Sequence, residues 1–245
     1  MIHFLLQSLP PRAGARRFAL ALGLVRIAAL PLLLTAPSHG QPATSSRIMD
    51  ITKFGVVGDG ITLNTAAIQQ AIDQCSALGG GMITFPTGRY LTGTIQLKDH
   101  VTLHLDEQAV ILGSLNISDY RNADPFIDGV GQPMGSALIV TVDARQVGIE
   151  GPGLIDGQGA ALKAAQAHYT VRPFLVRWVR CRDVTVKDVH LANSGAWTMH
   201  FFQCQDVAVG GVAIHSLGLA NNDGIDTDSC ERVHIQGCDI NTGDD

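Results

Sequence analysis

Two short segments late in the sequence, Asn221-Asn222-Asp223-Gly224-Ile225-Asp226 and Gly243-Asp244-Asp245, hold the residues best suited to chemistry. Asp223 and Asp244 lie 244 − 223 = 21 residues apart. Carboxylates that converge repel one another, so at least one of them should keep its proton above the ordinary range. Hydrolysis of a glycosidic bond needs that split. One carboxylic acid protonates the leaving oxygen while an ionised partner activates water. Two plainer readings fit the same residue types: Asn, Asp and Gly build turns, and clustered acids hold calcium. Trp197 and His200 precede the first acidic segment, and a ring beside a sugar cleft could stack on substrate; simple packing is the competing reading. His168, Tyr169 and Arg172 are further polar candidates from a loop.

The elements that must position these residues are repetitive. Cys181-Arg182-Asp183-Val184-Thr185-Val186-Lys187-Asp188-Val189-His190-Leu191 is echoed from Cys204 to Ile214 and again from Cys230 to Ile240. The starts are separated by 204 − 181 = 23 and 230 − 204 = 26 residues, a solenoid period. In each unit the apolar positions fall three, five, eight and ten residues after the cysteine, the spacing of two short strands with a bend between them. The leucine-rich signature is absent. A parallel β-helix follows, in which stacked coils bury a face that none could bury alone and equivalent residues lie ~4.8 Å apart. On that axis a 21-residue separation brings Asp223 beside Asp244 and Asp245. Val184, Val207 and Val233 should form one inward row, and Cys181, Cys204 and Cys230 another. The cysteines serve there as small buried hydrophobes or as a neighbouring disulfide.

Upstream, strands are expected at Met82–Phe85, Ile95–Leu97, Val101–Leu105 and Val110–Leu112, and a coil over Val147–Ile155. Asn64 or Thr65 should cap a helix over residues 65–78 whose apolar face is Ile68, Ala71, Ile72, Cys75 and Leu78. Gly79-Gly80-Gly81 ends it. Such a helix would cover the first coil's open edge. Residues 114–137 and 157–171 read as long loops that could wall a cleft.

Composition sets the outer bounds. With 46% hydrophobic and 16% charged residues the chain is globular rather than disordered. A net charge of −5 argues against a nucleic-acid partner, and any acidic polysaccharide would need local Arg or Lys. Arg12, Arg16 and Arg17 followed by the apolar run Phe18–Leu34 and by Ser38-His39-Gly40 read as a signal peptide over residues 1–40. An uncleaved anchor is the alternative. Residues 41–48 are then a linker and 49–245 the β-helix domain, in a protein expected to be secreted or periplasmic with no stable membrane association after cleavage. The cysteine spacings match no zinc pattern, and no metal or cofactor is called for.

Several motifs carry a resemblance. Phe54-Gly55-Val56-Val57-Gly58-Asp59-Gly60, Gly153-Leu154-Ile155-Asp156-Gly157-Gln158-Gly159 and Asn193-Ser194-Gly195-Ala196-Trp197-Thr198-Met199-His200 are similar to segments of glycoside hydrolase family 28, the polygalacturonases and their relatives. Asn221-Asn222-Asp223-Gly224, followed one coil later by Gly-Asp-Asp, is its most specific match, with Asn222 in place of the commoner Thr. The resemblance covers Asp50 to Asp245. It implies an all-β, right-handed parallel β-helix with an N-terminal capping helix. It also implies inverting hydrolysis of galacturonate-containing polysaccharide, pectin or a related polyuronide. Asp244 would be the general acid, and Asp223 and Asp245 would hold and activate water. Asn221 would orient the cluster and Asp226 support it; with Trp197 and His200 they form the expected substrate-binding set. The family's downstream Gly-His-Gly and Arg-x-Lys elements are not in the sequence, so the domain is expected to be incomplete at its C-terminal side, inactive by itself and association-prone. A calcium-dependent pectate lyase and a non-catalytic β-helical carbohydrate-binding protein are the alternatives.

Overall fold

Short runs with alternating burial set the architecture: in Val101–Leu105 every second side chain is buried, and Arg182–Lys187 buries only Val184 and Val186. A computed structural model describes residues 47–245 apart from Val130 and Tyr169. The expected signal and most of the expected linker therefore lie outside the described residues. The chain forms β1 (Ile48–Asp50), α1 (Thr65–Ala77), β2 (Gly81–Phe85), β3 (Gly88–Thr92), β4 (Ile95–Leu97), β5 (Val101–Leu105) and β6 (Ala109–Gly113). It continues with β7 (Asn122–Ile127), β8 (Pro133–Val142), β9 (Arg145–Glu150), β10 (Leu154–Asp156), α2 (Gly159–Ala165) and β11 (Phe174–Val179). Then come β12 (Arg182–Lys187), β13 (His190–Ala192), β14 (Met199–Phe202), β15 (Gln205–Gly210), β16 (Ala213–Ser216), β17 (Ile225–Asp228), β18 (Glu231–Gln236) and β19 (Asp239–Thr242).

These strands form a right-handed parallel β-helix with three sheets. The first runs β1-β2-β5-β9-β12-β15-β18, the second β3-β6-β10-β13-β16-β19 and the third β4-β8-β11-β14-β17. One strand from each sheet makes a coil, as in β12-β13-β14 and β15-β16-β17. Val184 pairs in register with Val207 and Val207 with Val233, so the expected inward row exists. The cysteines form the adjacent row as free thiols. The Cys181 backbone N–H donates to Cys204 Sγ at 3.4 Å, and that of Cys204 to Cys230 Sγ at 3.3 Å. Because Val207 is packed between two identical neighbours, Val207→Ala opens a cavity that neither can fill. We expect a loss of about 2 kcal/mol, read as a lower urea midpoint with unchanged slope. An unchanged midpoint would mean the row is not tightly packed.

The helix α1 buries Ile68, Ala71, Ile72 and Cys75 in the same core. Two expectations about its ends are corrected. Leu78 lies past the last turn and is half exposed. Asn64 stands at the N-cap position and its carbonyl accepts from the Ile68 N–H, but no side chain caps the first turn: the Asn64 carboxamide accepts from the Val57 N–H at 2.8 Å and donates to the Val57 and Thr62 carbonyls, and Thr65 Oγ1 accepts from the Gly93 N–H at 2.7 Å. Their side chains tie the entry loop and the first coil together instead.

The expected long loops are also corrected. Residues 114–137 contain β7, which pairs antiparallel with the start of β8, and residues 157–171 contain α2. Both excursions leave at the turn between the second and third sheets. That is the same turn which carries residues 193–198 and 217–224 on later coils. Insertions and acidic segments therefore gather on one side of the solenoid. Among the described residues no helix is long and apolar enough to cross a membrane.

Candidate active site

The two acidic segments meet at that turn because β16 and β19 stack in register, with Ser216 opposite Thr242. Asp223 ends the turn into β17, and Asp244-Asp245 occupies the equivalent position one coil on. The Gly224 N–H donates to the main-chain oxygen of Asp245 at 2.7 Å, joining the segments directly. This approach explains their glycines. A Cβ on Gly224 would lie 2.8 Å from Ile240 Cγ2, and one on Gly243 would lie 2.8 Å from Asn222 Oδ1. A side chain at either position would force the Ile240 or the Asn222 side chain to shift.

Beneath Asp223 the turn is held from inside. Buried Asn222 donates to the Ser216 carbonyl at 2.6 Å. Ser194 and Ser216 hydroxyls bond at 2.7 Å, and Thr198 Oγ1 donates to Ser194 Oγ at 3.2 Å. The Thr198 N–H donates to the Asp223 carbonyl at 2.8 Å. Sequence reasoning missed Ser194, Thr198 and Ser216 as supports because single hydroxyl residues in a turn carry no pattern. Asn221, by contrast, is exposed with φ of 55°, a left-handed conformation that Asn tolerates.

The charges in the cluster differ in kind. Burial raises the Asp223 carboxyl above its ordinary range; Asp244 and Asp245 add to the rise, and Arg172 opposes it. Burial, and then repulsion by Asp223, Asp245 and Asp244, pushes Asp226 up to about 7. Repulsion was the expected cause, and burial proves the larger one. Asp226 Oδ2 is buried with no hydrogen-bond partner among the described residues.

Asp226 is the register partner of His200, which in turn is the partner of Arg177. His200 is only 3% exposed and packs against Phe174 and Trp197, with ring centroids 5.3 and 5.1 Å away. Burial, then the Arg177 charge, lowers its pKa to about 4. Arg177 Nε donates to His200 Nδ1 at 3.4 Å, and its Nη1 donates to the Ala123 and Asp124 carbonyls. His200 thus presents a neutral, fixed ring behind the acids, with no open face for a sugar. Trp197 is half-buried beside it and keeps some exposed surface. Arg177 was not singled out from the sequence, although a charge inside Phe174-Leu175-Val176-Arg177-Trp178-Val179 was the available signal.

Of the other polar candidates, His168 is exposed, and Tyr169 lies outside the described residues. Arg172 reaches the acidic turn: its Nη1 donates to Asn221 Oδ1 at 3.0 Å, and its Nη2 bonds the Ala220 carbonyl. No group of three or more His, Cys, Asp or Glu side chains among the described residues is arranged to hold a metal ion.

The fold and site define the class: a right-handed parallel β-helix with carboxylates gathered at one turn of neighbouring coils. Within it the chain belongs to glycosyl hydrolases family 28, whose model matches residues 75–245. It is 33% identical to a Vitis vinifera protein named "Probable polygalacturonase", over 87% of this chain and 46% of that one. The chain thus spans less than half the length of that relative. It superposes on an exopolygalacturonase from Thermotoga maritima with a TM-score of 0.70 and 28% identity, covering 81% of this chain and 53% of that one. A family 28 exopolygalacturonase from Yersinia enterocolitica matches with a TM-score of 0.70 and 25% identity, over 81% and 43%.

Proposed function

We propose that the protein is a pectin-degrading glycoside hydrolase of the polygalacturonase type, acting on α-linked galacturonate with inversion at the anomeric carbon. The observation that carries this reading is the stacking of the Asp223 turn on the Asp244-Asp245 turn. Membership of family 28 supports the reaction class.

In the mechanism, Asp244 protonates the glycosidic oxygen as the bond to C1 breaks. Asp223 and Asp245 hold a water on the opposite face of the sugar, remove its proton and direct its oxygen to C1. An inverting pair needs roughly 6.5–9.5 Å between acid and base, and coils ~4.8 Å apart approach that range once side-chain reach is added. Asp226 and Asn221 shape the cluster from either side, and Trp197 offers a ring edge to the substrate. His200 acts through Asp226 and the neighbouring rings. The basic stretch and apolar run before residue 40 would export the protein to the pectin it degrades.

The test uses the full-length protein on polygalacturonate. Hydrolysis predicts new reducing ends without an unsaturated, ultraviolet-absorbing product, and full activity in the presence of a chelator. Proton NMR should show the β-anomer of the new reducing end first. An absorbing product lost on chelation would replace this reading with a calcium-dependent lyase, and binding without any cleavage would replace it with a carbohydrate-binding role.

A further inference from the structure

Four carboxylates, those of Asp223, Asp226, Asp244 and Asp245, act on one another at the turn. The groups facing Asp223 come from several elements. Asp244 and Asp245 follow β19, Asp226 lies in β17, neutral His200 lies behind it in β14, and Arg172 arrives from the segment between α2 and β11. Among the described residues the cation that bears on Asp223 is Arg172. It belongs to an earlier coil than the acids, 49 residues before Asn221, so its reach across the turn is a product of the tertiary stack alone.

Its geometry is that of a fork rather than a point charge. One terminal nitrogen meets Asn221 Oδ1 and the other the Ala220 carbonyl. The residues it grips lie two and three positions before Asp223, at a turn whose Asn221 is in the left-handed region. Asn222 pins the same turn from the inside through Ser216. The turn is therefore clamped from both sides, by a buried amide within and by a guanidinium outside. A planar guanidinium can span two acceptors in a way that an ammonium cannot.

We propose that Arg172 is a positioning residue for the aspartate cluster: it clamps residues 220–221 and brings its positive charge to the turn that carries Asp223, so that Asp223 stays placed to hold water. The proposal rests on the hydrolase reading for its kinetic consequences but not for its structural ones. Arg172 is not required to touch substrate. Its action passes through Asp223.

Two measurements on the full-length protein separate the possibilities. The titration of Asp223, followed by carboxyl ¹³C NMR in the wild type and in Arg172→Gln, needs no activity at all. Loss of the cation should move the Asp223 midpoint upward. On polygalacturonate, Arg172→Gln should lower kcat by about 10- to 100-fold with KM changed only a few-fold, and the acid limb of the pH profile should move to higher pH. Arg172→Lys should leave Asp223's titration and the acid limb near wild type but recover kcat only in part, because the fork is lost. An unmoved Asp223 midpoint in a folded Arg172→Gln variant overturns the electrostatic half. Should that variant fail to fold, Arg172→Lys with wild-type kcat overturns the clamp. If the wild type cleaves no polygalacturonate while Asp223 still shifts, the substrate reading fails and the positioning role stands.

Discussion

Asp244→Asn should lower kcat on polygalacturonate by about 10²- to 10⁴-fold, the range expected for loss of general acid catalysis, with KM within a few-fold of wild type. An amide matches the carboxyl in shape but has no acidic proton to give to the leaving oxygen. The amide also changes no side-chain volume, so the melting temperature should hardly move. Asp223→Asn should cost a comparable factor by disabling water activation. The double variant should fall well short of the product of the two losses, because groups acting on one transition state are not additive. Reducing-end release with saturating substrate measures each. An Asp244→Asn enzyme with near wild-type turnover would remove this residue from the acid role, and the proton would then have to come from elsewhere in the cluster.

The second large effect concerns Asp226 and pH. Its folded pKa is raised to about 7 by burial and by its acidic neighbours, whereas in the unfolded chain it titrates near 3.9. Between those values the folded protein holds a proton that the unfolded chain has released. Stability attributable to this group must therefore fall as pH rises through that window, and the penalty is complete above it. A three-unit rise at 1.36 kcal/mol per unit bounds the penalty at about 4 kcal/mol; solvent screening of a partly exposed group brings the expectation to about 2 kcal/mol. Asp226→Asn removes the titration. The variant should match the wild type in urea midpoint near pH 4 and exceed it by about 2 kcal/mol near pH 8. Equal stability at both pH values would show that Asp226 ionises normally. Activity offers a second reading of the same group. If Asp226 serves in its protonated form, the Asn variant should retain most of its turnover at pH 5.

Arg177 and His200 bear on this expectation. Burial and, after it, the Arg177 guanidinium keep His200 unprotonated above about pH 4, so Asp226 gains no cationic partner from the coil beneath it. A charged imidazole in register with Asp226 would pull its carboxyl back toward the ordinary range, since an opposite charge favours ionisation. The aromatic packing of His200 against Phe174 and Trp197 and its bond from Arg177 are thus part of what keeps Asp226 able to hold a proton.

Much of this molecule could be read from residue types and spacing. The 23- and 26-residue echo of Cys181, Cys204 and Cys230 sufficed for a parallel β-helix because a coil repeats its inward side chains at the same offsets, and the valine row bears this out. The 21-residue separation of Asp223 and Asp244 likewise placed the two acidic turns on neighbouring coils, since one period is one coil. Helix α1 was legible from its apolar face, but its N-terminal contacts were not: Asn64 and Thr65 bond to residues brought near only by the first coil. The hairpin of β7 with β8 and the helix α2 escaped because they sit in insertions that break the repeat. Most of what tunes the site belongs to the tertiary structure alone. Burial, which no local pattern reports at Asp226, sets its protonation. Arg172 and Arg177 reach their targets across 49 and 23 residues of sequence. Spacing along a solenoid fixes which residues become neighbours, but the solvent each one loses depends on every loop that folds over it.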